Sequence, residues 1–442
     1  MARKLAVALC LALLSACAPI DMNIEELLSP PRINERQTQV EQALGAHISL
    51  DSIQFQYPRE GDYRSPFVFS DMDGDGLMEA VVFYTSMESG GGIRVKVLRE
   101  EADGRWTLTD DRSGFGDRVH IVRFSNLLSA ESQNLLIGWE NGATGVRRLD
   151  VFSYRDGRLG ALYQTYYTVF DIERYETGEL EQIALVRQDS GGAYNLNLLG
   201  RTLDGRLSAL GEAALSGDIY RVLNLTKGVM RENSNGIFVD ARRFSDFLIA
   251  TEIFEVADGR LLPLVADVDA EVINRLYRQT FRSDASLISL DLRRDGRVVI
   301  PIHDEEPLPG LVTEAELEPL SLTLYISYNH AGFLEVADRA VVNAGAGYLF
   351  FFPDRWVGRV TVERRPETGV WHFFEVNPFT NLPSAELLRI RVHPIRDYQD
   401  QHIGDYVHLA DRGLLRYYGF IPNTTSELAI SRQEMEDNFM LL

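Results

Sequence analysis

Short apolar runs separated by polar turns recur along the first two thirds of the chain with a period of about 50 residues. Asp-Gly-Arg stands at Asp103-Gly104-Arg105, Asp156-Gly157-Arg158, Asp204-Gly205-Arg206 and Asp258-Gly259-Arg260, with spacings of 53, 48 and 54. Each copy is preceded by a β-patterned run (Ile93 to Leu98, Leu149 to Tyr154, Tyr194 to Leu198, Phe247 to Phe254). Each is followed by another (Trp106 to Thr109, Leu159 to Tyr163, Leu207 to Leu210, Leu261 to Val265). Asp-Gly between such runs predicts a hairpin, because Gly accepts and Asp tolerates the positive φ of a type I′ turn.

A second marker keeps step with the first: a short apolar strand, a polar loop of about nine residues, then a strongly apolar strand. The loops end at Glu79, Asn134, Glu181 and Asn235, spaced 55, 47 and 54. The strands that follow contain Val81-Val82-Phe83, Leu135-Leu136-Ile137, Ile183-Ala184-Leu185 and Ile237-Phe238-Val239. Each unit therefore reads as a four-stranded antiparallel meander, which cannot cover its inner strands alone but can do so beside copies of itself. The pattern predicts a mainly β fold, a β-propeller of about five blades over residues 39–305, with two stacked β-sandwiches as the alternative. A fifth, imperfect unit runs from Leu287 to Ile302, and strands within Ile48 to Phe55 are available to close a larger ring.

One loop carries visible chemistry. Asp71-Met72-Asp73-Gly74-Asp75-Gly76-Leu77-Met78-Glu79 places carboxylates at relative positions 1, 3, 5 and 9, with the Leu77 carbonyl at position 7. Hard oxygen donors in that number suit Ca²⁺, and a solvated Asx turn is the alternative. The loop is no EF-hand: Val82 occupies position 12, and its flanks read as strands. It resembles the Ca²⁺ loop of FG-GAP (VCBS-type) repeats, which implies one structural Ca²⁺ held by Asp71, Asp73, Asp75, Leu77 and Glu79. The other loops depart from that pattern, with Asn126, Leu128, Ala130 and Asn134 in the second and Glu173, Tyr175, Thr177 and Glu181 in the third. The fifth keeps Asp291 and Asp295 but has Arg293 and Val299, so an arginine is expected to replace the cation.

Glu305 to Pro319, with Pro307, Pro309, Gly310 and Pro319, reads as a boundary, and residues 320–442 as a smaller α+β domain. β-like runs are expected at Leu320 to Ser327, Gly347 to Phe352, Gly358 to Glu363, Trp371 to Val376, Leu387 to Val392 and Leu415 to Phe420, and a polar helix from Ser426 to Leu441. The phrase Gly347-Tyr348-Leu349-Phe350-Phe351-Phe352-Pro353-Asp354-Arg355-Trp356 resembles the opening of PsbP-like domains, which implies fold only. Trp356 is expected in the core.

At the other end, Arg3 and Lys4 precede an apolar run from Leu5 to Leu14, the plan of a secretory signal too short to span a bilayer. Leu14-Ser15-Ala16-Cys17 resembles the lipobox of bacterial lipoproteins, which implies removal of residues 1–16 and lipid on Cys17; an ordinary signal peptide cut after Ala16 is the alternative. Cys10 is the other cysteine and lies in the signal, so the mature chain holds a single thiol and no internal disulfide. Residues 17–38 are polar and proline-punctuated, the composition of a tether. The expected location is the extracytoplasmic face of a membrane, reached through two or three acyl chains.

Formal net charge is -21, which repels phosphate backbones and argues against nucleic acid as a partner. No His-Glu-x-x-His, Gly-x-Ser-x-Gly, P-loop or Cys-x-x-Cys spacing occurs, so no catalytic residue is assigned. The densest histidine stretch (His393, Asp397, Asp400, His402, Asp405, His408) has irregular spacing and reads as a solvated face. Two functions fit these features: a surface module that binds or scaffolds an extracellular protein or glycan, and a hydrolase or lyase acting on cell-wall or capsular polymers.

Overall fold

The computed structural model describes residues 35–86, 91–231, 234–284, 287–310, 320–329, 331–365, 368–395, 404–422 and 425–442. The stretches that read as a signal and lipobox, and most of the one that reads as a tether, lie outside these residues. The chain forms two compact units. One comprises the chain up to Tyr57 with Arg64–Asp71 and Asp75–Gly114, and the other Pro58–Tyr63, Met72–Gly74 and Phe115–Leu442.

In the first unit, helix α1 (Glu35–Gly45) precedes strands β1 (Ile53–Phe55), β2 (Phe67–Ser70), β3 (Glu79–Ser86), β4 (Ile93–Glu100) and β5 (Trp106–Ser113). The sheet runs β1-β3-β4-β5, and β2 also pairs with β3. The helix starts inside the stretch that reads as a tether, because Val40 and Leu44 give it an apolar face that packs with Phe67, Val82 and Trp106.

The second unit begins with three sheets of four strands, each a meander in chain order. They are β6 (Arg118–Ser125), β7 (Asn134–Glu140), β8 (Arg147–Arg155) and β9 (Arg158–Tyr167); β10 (Val169–Glu173), β11 (Gln182–Gln188), β12 (Tyr194–Arg201) and β13 (Leu207–Ala214); and β14 (Ile219–Arg231), β15 (Ser234–Arg243), β16 (Ile249–Ala257) and β17 (Arg260–Val265). The second strand of each is almost wholly buried while the fourth alternates toward solvent, as the apolar pattern requires. Along β11, Ile183 and Leu185 pack toward the preceding sheet and Ala184 and Val186 toward the following one, so one strand cements two neighbours.

The four Asp-Gly-Arg sequences that keep the period are hairpin turns, in two forms, whereas a fifth copy, Asp295-Gly296-Arg297, lies in the loop that Asp291 closes. Asp156-Gly157 and Asp258-Gly259 have positive φ at both residues, the expected type I′ geometry. At Asp103-Gly104 and Asp204-Gly205 only the glycine is left-handed. There Gly104 and Gly205 donate their N–H to Glu101 and Thr202, closing a longer turn that ends on a left-handed glycine. A β-bulge between third and fourth strands recurs at Val97/Leu98, Val151/Phe152, Leu198/Leu199 and Ile253/Phe254, keeping the same step as the turns. The fourth unit differs from expectation: its first strand extends to Arg231 with three irregularities, so no nine-residue loop separates it from β15.

Helix α2 (Glu271–Arg278) leads to the fifth sheet, in which β18 (Ile300–Pro307) pairs with β19 (Ser321–Tyr328). Next come β20 (Leu334–Asn343) and β21 (Tyr348–Phe351). This sheet therefore runs on both sides of the proline-rich stretch. The sixth sheet has the order β22-β23-β24-β26-β25, from β22 (Val360–Arg365), β23 (Val370–Val376), β24 (Pro383–Pro394), β25 (Val407–Arg412) and β26 (Leu415–Phe420). The expected long C-terminal helix is short, α3 (Arg432–Asn438), opened by a Ser431/Glu434 capping box. It gives way to β27 (Phe439–Leu441), whose Phe439 and Met440 pair with β21 in the fifth sheet. Trp356 is fully buried between the two sheets, stacked with Phe350, tilted against Phe373 and donating its indole N–H to the Leu428 carbonyl at 2.7 Å.

Candidate metal site

The loop between β2 and β3 is built by its own carboxylates. Asp71 accepts the N–H of Asp75 on Oδ1 (3.1 Å) and that of Gly76 on Oδ2 (3.0 Å), while Asp75 Oδ1 accepts from Leu77 (2.8 Å). These are Asx-turn bonds, which curl the chain before it enters the strand. Gly74 has φ +80°, and a Cβ there would collide with the Glu131 carbonyl, so this position requires glycine.

The curl brings together oxygens of Asp71, Asp73 and Glu79, all within 4.8 Å of one another. Among the described residues this is the one group of three or more His, Cys, Asp or Glu side chains so placed. Glu79, the first residue of β3, is fully buried, and the two aspartates are half-buried. Asp75 turns its Oδ2 to the Arg99 guanidinium on β4 instead. Leu77 is fixed in the loop through its N–H. Three of the five expected ligands thus share one point, and their donor set of hard oxygens suits Ca²⁺.

The other loops are filled by protein groups. In the second, Asn126 Nδ2 donates to the carbonyls of Ser129 (3.2 Å), Ala130 (3.3 Å) and Ser132 (2.9 Å), so an amide occupies its interior. In the third, the Tyr175 hydroxyl donates to Asp171 Oδ2 at 3.0 Å. Two of the ninth positions reach back to the preceding loop: Glu181 Oε2 accepts from Ser125 Oγ (2.7 Å) and the Asn126 N–H (3.1 Å), and Asn235 Nδ2 donates to the Tyr175 carbonyl (2.8 Å).

The fifth loop repeats the first in its backbone bonds. Asp291 accepts from Asp295 (3.1 Å) and Gly296 (2.8 Å), and Asp295 from Arg297 (2.9 Å). Its Arg293 does not fill the loop as a cation substitute. The guanidinium leaves for Asp338 on β20, with Nε at 3.1 Å from Oδ2, and lies over the Phe351 ring.

Sequence patterning gave no sign of two buried acids on β15 and β16. Asp240 is fully enclosed and answered by Arg282 at 2.7 Å, and it also accepts from the Thr251 and Ser289 hydroxyls, the Ser289 N–H and Asn224 Nδ2. Among the described residues Glu252 has no cation beside it. Burial lifts its carboxyl to about 8 against the opposing Ser216 N–H, with Asp267 adding to the rise. The fold therefore holds a proton that the unfolded chain releases, and this contribution to stability fades as pH rises from about 4.5 through about 8. Of the histidine-rich stretch, Asp397, Asp400 and His402 lie outside the described residues, and His408 Nε2 is bonded to Asp411 at 2.9 Å.

No protein-family model matches the chain, and no curated protein matches it. Similar solved structures include a protein from Lactobacillus plantarum (14% identity, TM-score 0.29, covering 63% of this chain and 72% of that one). Others are a hypothetical protein from Leishmania major (9%, TM-score 0.22, 60% and 89%) and Sqt1 from Chaetomium thermophilum (10%, TM-score 0.29, 84% and 83%).

Proposed function

We propose that this chain is a lipoprotein, anchored through Cys17 on the extracytoplasmic face of a membrane, whose β-propeller repeats of FG-GAP type form a binding or scaffold module braced by one Ca²⁺. The observation that carries the reading is the meeting of Asp71, Asp73 and Glu79 at the mouth of a buried strand. Like charges at that spacing repel, and a divalent cation among them turns the repulsion into a cross-brace between the loop and β3. The serial packing of sheets through strands such as β11 supports a rigid scaffold, which displays its loops without moving them. An extracellular protein or glycan is the class of partner that such a surface meets.

The test is thermal unfolding of the purified chain in Ca²⁺ and in EDTA, repeated on Asp73→Ala. Ca²⁺ at 100 times its Kd stabilises by about 2.7 kcal/mol, and the variant loses that response. Identical curves in both buffers would remove the ion from the proposal. Metabolic labelling with palmitate, absent in Cys17→Ser, tests the anchor separately.

A further inference from the structure

The fifth sheet is apolar on both faces, and only one is fully covered. Every residue of β21 is buried, as in strands packed on both sides. Tyr348 and Phe350 join the core shared with the sixth sheet, whereas Leu349 and Phe351 face the other way, beneath Leu292 and Val299. That second cover stops short. Beside Leu290, Val342 and Met440, which are only partly buried, and bounded by Leu409 of β25, lies a cavity of about 890 Å³. This is the size of small-molecule sites, roughly 300–1,000 Å³.

Three arginines line it, Arg293, Arg294 and Arg412. Arg294 and Arg412 form no ion pair among the described residues, and Arg412 donates only to the Gly347 carbonyl, at 3.2 Å. The other charged residues lining it are committed elsewhere, Arg293 to Asp338 and the Asp291 carboxylate to the N–H groups of its loop. A separate observation concerns Arg294 itself. It has φ +57° at the place in the loop where the first loop has Gly74. Glycine would form this turn without strain, and strain of this kind is kept where a side chain is needed.

We propose that this cavity binds an amphiphilic anion, its alkyl chain among Leu290, Val342, Leu409 and Met440 and its carboxylate or phosphate head at Arg294 and Arg412. The apolar walls offer a long chain a place out of water, and the arginine forks suit a planar or tetrahedral oxyanion.

The experiment displaces bound cis-parinarate from the purified full chain with laurate, dodecyl phosphate or 1-dodecanol, each below its critical micelle concentration. Both anions should displace it at least about tenfold more tightly than the alcohol. Arg294→Glu and Arg412→Glu should each remove that advantage and leave the alcohol unchanged. Val342→Trp, which fills the cavity, should abolish binding of all three. If that variant shows no melting transition, Ala410→Trp on the edge strand β25 takes its place. A preference for the phosphate over laurate assigns a phospholipid-type head, and the reverse a free fatty acid. Failure of parinarate to bind, equal affinity for alcohol and anions, or unchanged binding in a folded tryptophan variant overturns the proposal.

Discussion

The first and fifth loops share a backbone and differ in what balances their charge. In each, the aspartate at position 1 accepts two N–H groups, the one at position 5 accepts a third, and the next residue is a left-handed glycine. Those three residues suffice to shape the turn. Positions 3 and 9 then decide its chemistry: Asp73 and Glu79 gather carboxylates in the first loop, whereas Arg293 and Val299 give the fifth a cation that pairs outward and an apolar strand start. The fifth unit thus balances its acids with arginines, and under the function proposed above the first relies on an ion.

The strongest way to break this contrast is to remove a side-chain cation where one is built in. Ser289, just before the fifth loop, bonds Asp240, whose fully buried carboxylate depends on Arg282. Arg282→Met leaves that charge uncompensated and should cost about 3–5 kcal/mol, equally in Ca²⁺ and EDTA. Denaturant midpoints in the two buffers check it, and a Ca²⁺-dependent loss would mean that the two regions share one source of stability.

A smaller effect separates the loops directly. Asp71→Ala and Asp291→Ala each leave two loop N–H groups without their acceptor, a loss of about 1 kcal/mol. In Ca²⁺ the first should lose about 2.7 kcal/mol more at 100 times the Kd, because a ligand goes as well. Melting of both variants in Ca²⁺ and EDTA measures the difference, and equal losses in all four conditions would reduce the first loop to a turn.

The loops also show what patterning along the chain conveys. The four periodic Asp-Gly-Arg copies located their hairpins, and the ninth positions fell within one residue of the strand starts at Glu79, Asn134, Gln182 and Ser234, because turn chemistry and buried strands are local. The two turn geometries were not legible, since they depend on whether the flanking strands close directly on Asp-Gly, as at Asp156, or two residues earlier, as at Asp103. Long-range partners were invisible for the same reason. Nothing near Asp75 points to Arg99, nothing near Arg293 points to Asp338, and the pairing of β18 with β19 spans a proline-rich stretch that locally reads as a boundary. The three-carboxylate point could be read from spacing because all its members lie within nine residues.

Arg294 gives the finest test, because there the two loops differ by a residue that their shared backbone disfavours. A left-handed conformation costs a non-glycine residue about 1–2 kcal/mol, and glycine returns roughly 0.5–1 kcal/mol of this through the greater freedom of its unfolded chain. Arg294→Gly should therefore stabilise the ligand-free chain by about 0.5–1 kcal/mol, a small rise in the urea midpoint. The same substitution removes one of the two arginines assigned to the ligand's head, so the variant should be more stable and weaker in displacement by laurate. Gain of one with loss of the other would mark the strain as serving a ligand. A variant that binds laurate as the parent does would show that the arginine at this turn serves neither the fold nor the cavity.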